Sequence, residues 1–191
     1  MNERYTIEDF VCETSVEEYL ARFHNPEVVL GYCRECSKYG KQWSCPPFDF
    51  DVVERLTQYD KVLLVATKIT PTQTELSYHK AEQFIRTERI RLERRLLDLE
   101  RQYNGLASTC IGSCLHCPEG NCTRPLGNVC RHPECVRPSL EAYGFDVCST
   151  ASELLGIDMK WGHKGASPEY LILIGGVFYT PSLQSPLKNT Y

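Results

Sequence analysis

The sequence contains no long apolar run. No stretch approaches the roughly 18 consecutive apolar residues that cross a bilayer, so no membrane span is expected. An excess of positive charge is also missing: 21 Lys and Arg stand against 25 Asp and Glu, giving a net charge of −4. With a pI near 5.8, there is no electrostatic case for binding nucleic acid or an anionic membrane. The first residues, Met1-Asn2-Glu3-Arg4-Tyr5, lack the basic start and apolar stretch of a secretory signal, and a cytoplasmic location is expected. There is no internal repeat of solenoid period. No Ser/His/Asp or paired-carboxylate arrangement can be assembled, and the glycines form no phosphate-binding loop.

What is abundant is cysteine, 11 in 191 residues. A hydrophobic fraction of 42% is enough for a core without covalent staples, and the length fits a single domain spanning 1–191. In a secreted chain so many cysteines would suggest disulfides with one left over. In a reducing compartment the same density points to metal or redox chemistry. The cysteines are also grouped. Cys33, Cys36 and Cys45 form one set, while Cys110, Cys114, Cys117, Cys122, Cys130 and Cys135 form another. Cys12 and Cys148 stand apart.

Between these groups the pattern predicts a few regular elements. Ser15 with Glu18 is a capping box opening a helix to about Phe23. Residues 31–47 are a loop carrying the first cysteine set, and Asp51 caps a short helix to about Tyr59. Lys61–Ile69 has the β-branched, apolar centre of a buried strand. A long helix follows near 77–103, with Ile85, Leu92, Leu96, Leu99 and Tyr103 on one face. Its Arg and Glu residues are expected on a solvated face braced by ion pairs, with acidic-partner docking or a coiled-coil arm as alternatives. Residues 107–138 form a cysteine-rich loop region without periodicity. Thr150 and Glu153 are expected to open a helix stopped at Gly156, and Tyr170–Tyr179 is a second buried strand, its Gly175-Gly176 marking a bulge or close backbone approach. A loose tail follows. These elements predict an α+β domain in which a small mixed sheet packs on the long helix, with the cysteine loops at one end.

The chemistry lies in the spacing of the sulfurs. Cys33-Arg-Glu-Cys36 turns two thiolates toward one centre, and Cys45-Pro46-Pro47 adds a third on a stiffened chain. Three sulfurs are one short of a closed site. Cys114-Leu-His-Cys117, Cys122 and Cys130 supply four thiolates from a segment with few apolar side chains, which a metal would organise. An iron–sulfur cluster is expected, with zinc the alternative. Cys33, Cys36, Cys114 and Cys117 could share one zinc, but their separation far exceeds the roughly 15–20 residues of a zinc ribbon, and Cys45, Cys122 and Cys130 would be left over.

Cys12 and Cys148 are expected as small buried hydrophobes. Cys110 and Cys135 remain open as additional ligands, a redox pair or a capping site. His116 and His132 are expected as ordinary loop histidines. His163, in Trp161-Gly162-His163-Lys164-Gly165, is a weaker candidate for contacting an anion or substrate.

The same residues carry a family resemblance. Cys33-x-x-Cys36, Tyr39-Gly40-Lys41, Trp43 and Cys45-Pro46-Pro47 resemble the N-terminal signature of the predicted metal-binding family DUF2284. Cys114-x-x-Cys117 and Cys130-Arg131-His132-Pro133-Glu134 resemble its C-terminal signature. Arg137-Pro138-Ser139, Glu141-Ala142 and Gly144-Phe145-Asp146-Val147 continue the likeness, which runs from about Tyr32 to Val177. The stretch between Cys117 and Cys130 is expanded relative to the pattern, and Cys110, Cys135 and Cys148 are additional. The third ligand of the second group is therefore Cys122, Cys110 or Cys135. The resemblance implies a metal-binding, iron–sulfur protein of anaerobic-type metabolism and names no reaction.

Three functions fit. The first is a redox protein carrying electrons to or from a partner enzyme through one or two [4Fe–4S] clusters, Cys114, Cys117, Cys122 and Cys130 holding one, and Cys33, Cys36 and Cys45 holding a second or completing a shared site. The second is an enzyme binding substrate at the open iron of a three-cysteine cluster. The third is a zinc-stabilised interaction module.

Overall fold

Alternation along two apolar strands sets the architecture. In the computed structural model, which describes residues 5–72, 78–118, 120–162 and 168–181, strand β2 (Lys61–Pro71) sends Val62, Leu64 and Ala66 to one side and Val65 and Ile69 to the other. Strand β4 (Leu171–Tyr179) divides likewise, with Ile174 and Phe178 facing one way and Leu173 and Val177 the other. A sheet apolar on both faces must be covered on both faces. Helices α1 (Val16–Phe23) and α5 (Val147–Leu154) help cover one side through Tyr19, Phe23 and Ala151. The long helix α4 (Tyr78–Tyr103) covers the other through Phe84, Leu92 and Leu96. The α+β class thus follows the sequence reading. Because α4 lies on the sheet, it is not a projecting coiled-coil arm.

The sheet has the order β1-β2-β4-β3, with β1 at Tyr5–Ser15 and β3 at Leu106–Ser108. Its pairings are antiparallel throughout rather than mixed. Neither β1 nor β3 was expected. β1 is an edge strand with charged residues on both faces, so it carries no clear apolar alternation. Its hold on the fold is polar: Asp9 accepts from Arg91 at 2.8 and 2.9 Å, from Arg95 at 2.9 Å and from the Thr67 hydroxyl at 2.6 Å. The charged side of α4 is therefore not simply solvated, since Glu88, Arg89 and Glu93 are buried as well.

Local signals explain most helix starts. The Ser15 hydroxyl accepts from the Glu18 amide at 3.1 Å, and the Asp51 carboxylate from the Glu54 amide at 2.8 Å, opening α3 (Val52–Leu56). Helix α2 (Pro26–Glu35) occupies part of the expected loop. Pro26 in its first turn and Asn25 as cap are its sequence signals. Cys33 therefore lies in a last helical turn and Cys36 caps it. Helix α5 begins at Val147, ahead of the expected Thr150 start, because Asp146 takes the amides of Cys148 at 2.9 Å and Ser149 at 3.1 Å.

Gly175 is a point of close approach and not a bulge. The β2–β4 register runs through it unbroken, and a Cβ there would stand 2.5 Å from Leu96 Cδ1 and 2.7 Å from the Ser108 carbonyl oxygen. The expected His163 loop and most of the tail after Tyr179 lie outside the described residues. Among the described residues, no helix is long and apolar enough to cross a membrane.

Candidate metal centre

After β3 the chain enters a segment held mainly by its own turns and by two arginines, Arg124 and Arg137. Arg137 closes it at the far end, placing Nε and Nη2 on the Glu100 carboxylate at 2.8 and 2.6 Å. It also donates to the carbonyls of Pro133, Glu134 and Val136 at 3.0, 3.2 and 2.9 Å. Burial alone would raise the Glu100 carboxyl, but Arg137 and the Ala107 amide hold it below the usual range. The planar fork of arginine suits this pairing.

Arg124 joins the two cysteine groups. It donates to the Gln42 carbonyl at 2.7 Å and also to those of Cys45 and Pro47. Its guanidinium lies over the Trp43 ring, 5.4 Å from the centroid. Beside it, the Trp43 indole N–H donates to the Thr123 hydroxyl at 3.2 Å, and the Cys114 amide donates to Gln42 Oε1 at 2.9 Å. Cys122 is thereby anchored against the loop that carries Cys45, although the two are far apart in sequence.

The sulfurs line two adjoining cavities. Cys114, Cys117, Cys122 and Cys130 line a cavity of about 750 Å³. Cys33, Cys36 and Cys45 line a larger one of about 1000 Å³, together with Cys110, Cys114, Cys135 and Cys148. Cys114 and Arg89 belong to both walls. All 11 cysteines are free thiols. Among the described residues, no three His, Cys, Asp or Glu side chains are already drawn together tightly enough to hold one ion.

The donor chemistry nevertheless suits a thiolate-bound metal. The His132 amide points at Cys130 Sγ, 3.4 Å away, and the His116 amide donates to Cys114. Backbone N–H groups aimed at sulfur favour the thiolate, which is the ligating form. Burial raises the Cys33, Cys45 and Cys114 thiols. Around Cys45, Ser44 and Arg124 oppose that rise, while Cys36 and Cys122 add to it. A bound cation would reverse the balance, because the protons would be displaced by metal.

The remaining candidates separate by environment. Cys110 is fully buried in the apolar cluster with Leu92 and Leu96, and burial pushes its thiol far up. Cys135 is half-buried. Cys12 is half-buried and Cys148 exposed, so neither is the deeply buried hydrophobe expected. The His116 and His132 rings lie 6.2 Å apart. Sequence reasoning missed the contributions of Arg89, Arg124 and Arg137 because nothing in local spacing tells a structural arginine from a surface one. Arg137 alone lay within a quoted signature.

An antiparallel α+β scaffold that lines two touching cavities with ten of its 11 free cysteines suits a cysteine-rich metal-binding protein. Residues 23–178 match the family model described as a predicted metal-binding protein, DUF2284, and the chain belongs to that family. No curated protein and no solved structure matches it.

Proposed function

We propose that this is an iron–sulfur protein that carries electrons to or from a partner enzyme. Cys114, Cys117, Cys122 and Cys130 would hold one [4Fe–4S] cluster, and Cys33, Cys36 and Cys45 a second. The observation that carries the reading is the adjoining pair of cavities, the smaller lined by Cys114, Cys117, Cys122 and Cys130, the larger by Cys33, Cys36 and Cys45 together with Cys110, Cys114, Cys135 and Cys148. A structural zinc site is closed by four ligands around one ion, which accounts for neither seven grouped thiols nor the space beside them. Bound clusters would supply one-electron chemistry. The chain's own part is to brace the loops through Arg124 and Arg137 and to offer N–H donors to the sulfurs. Exposed Tyr32, Ile111, Leu126, Val129 and Trp161 lie on or beside the same segments and give a partner an apolar surface to meet.

A second reading is favoured by the larger cavity. Three cysteines leave one iron of a cubane without a protein ligand, and the space of about 1000 Å³ lies beside those three. A substrate bound there would make the protein an enzyme. The two readings separate in an EPR titration of reduced, anaerobically prepared protein. A carrier gives a signal indifferent to small molecules, whereas an open-iron enzyme gives one that changes with substrate. Colourless protein carrying stoichiometric zinc would contradict both.

A further inference from the structure

The two cavities differ in charge. On the wall of the larger one, Lys and Arg side chains are nearly balanced by Glu93, Glu141 and Asp146. The smaller one, fronted by Cys114, Cys117, Cys122 and Cys130, is lined by Lys38, Lys41, Arg86, Arg89 and Arg131. Among the described residues, Glu82 is the only carboxylate on that wall. The imbalance runs against the chain as a whole, whose net charge is −4.

Three of these cations stand in solvent. Lys41, Arg86 and Arg131 are exposed, and none of the three is in an ion pair among the described residues. Arg131 donates to the Asn121 carbonyl at 2.7 Å, which leaves its charge unbalanced. Arg89 is different, being buried and paired with Glu93 at 3.2 Å. A cation that offsets metal-bound thiolates acts best out of water, where the dielectric is low. Exposed heads around an opening act instead on what approaches from solvent.

The same face carries an apolar element. Pro125 and Cys130 line the cavity, and Leu126 and Val129, next to them in the chain, are 74% and 84% exposed. Apolar side chains beside charges of one sign suit a protein interface, where burial holds the partner and complementary charge steers it. Three exposed cations on an acidic chain fall short of the basic stripe that binds nucleic acid. We infer that the face over the smaller cavity docks a protein partner through an acidic patch, Lys41, Arg86 and Arg131 meeting its carboxylates and Leu126 and Val129 its apolar side chains. The inference gives the chemistry of the electron-transfer partner and rests on that reading for its use. The docking itself does not depend on which metal the cysteines hold.

The test uses the full chain prepared without oxygen. Hexaglutamate stands in for the acidic patch, and calorimetry at low salt reads its binding whatever metal is present. Saturation with a dissociation constant of roughly 1 mM or tighter is expected, weakened about tenfold or more in a Lys41→Glu, Arg86→Glu double variant. Both positions are exposed, so the variant should fold, and either single substitution serves if it does not. Electron transfer gives a second readout: reduced protein is oxidised by hexacyanoferrate(III), an anion, or hexaammineruthenium(III), a cation, between about 0.01 M and about 1 M salt. The net charge of −4 alone would repel the anion. The cationic face predicts instead that the hexacyanoferrate rate falls about tenfold or more as salt rises, and that the double variant loses this dependence. Metal content, measured on every sample, keeps the two claims apart: zinc-loaded protein that still binds hexaglutamate would sink the electron-carrier reading and leave the docking face standing. No hexaglutamate binding, unchanged affinity in the folded variant, or tighter binding of a short oligothymidine would overturn the inference. So would a hexacyanoferrate rate that rises with salt. A salt effect on hexacyanoferrate without hexaglutamate binding would assign the cavity to a small anion and overturn it too.

Discussion

Arg124 donates to the main-chain carbonyl of Gln42 at 2.7 Å, across 82 positions of sequence, and so fastens the second cysteine segment to the first. Arg124→Lys keeps the charge but loses the planar fork that serves the Gln42, Cys45 and Pro47 carbonyls. Hydrogen bonds to a charged group contribute roughly 1.5–3 kcal/mol each. The variant is expected to lose on the order of 3 kcal/mol in urea denaturation and to release metal to a chelator faster than the parent. Unchanged stability and release would mean that the clamp is incidental.

Gly175 packs where α4 meets β4. Gly175→Ala would force a methyl to within 2.5 Å of Leu96 and 2.7 Å of the Ser108 carbonyl, and the carbonyl belongs to a paired strand that cannot turn aside. Overpacking of this kind costs roughly 1–3 kcal/mol. A denaturation midpoint lowered with an unchanged slope would be the expected result.

Glu141 predicts a pH dependence. Burial pushes its carboxyl up to about 7, with its own amide, Ser139 and Arg89 pulling the other way. The folded state therefore holds the proton more tightly than the unfolded chain does. Its contribution to stability is full below the ordinary carboxylate range, near pH 4.5, and is lost as pH rises through about 7. Glu141→Gln removes the titration. Between about pH 5 and about pH 8 the parent is expected to lose on the order of 1–3 kcal/mol that the variant keeps. Parallel stability profiles for the two proteins would contradict this.

Cys117 and Cys110 should behave oppositely. Cys117→Ala removes a proposed ligand and is expected to cost one of two clusters, about half the iron. Cys110 sits in the apolar core, where a thiolate is strongly disfavoured. Cys110→Ala is expected to keep the full metal content and to lose about 1 kcal/mol of stability through the small cavity it leaves. Metal analysis beside urea denaturation reads both effects.

The fold was legible where side-chain periodicity is strong. The apolar centres of β2 and β4 and the Leu92–Leu96 face of α4 announce themselves by composition and spacing. β1 did not, because its place depends on Asp9 meeting Arg91 and Arg95, a contact that only tertiary structure creates. The start of α5 was displaced because Asp146 caps more effectively than the Thr150–Glu153 pattern suggested. The cysteine spacing gave the two groups, and the structure adds that they front adjoining cavities. What spacing could not reveal was Arg89 and Glu141, which look like surface charges in a one-dimensional reading; in the folded chain Arg89 is buried and Glu141 half-buried, both on the wall that carries cysteines.

The central claim is that these cysteines hold iron–sulfur clusters, and metal and sulfide analysis of protein prepared without oxygen tests it most directly. Iron and acid-labile sulfide in near-equal amounts, with the broad visible absorption of sulfur-to-iron charge transfer that bleaches on reduction, is the predicted result. Colourless protein with stoichiometric zinc and no labile sulfide would contradict it.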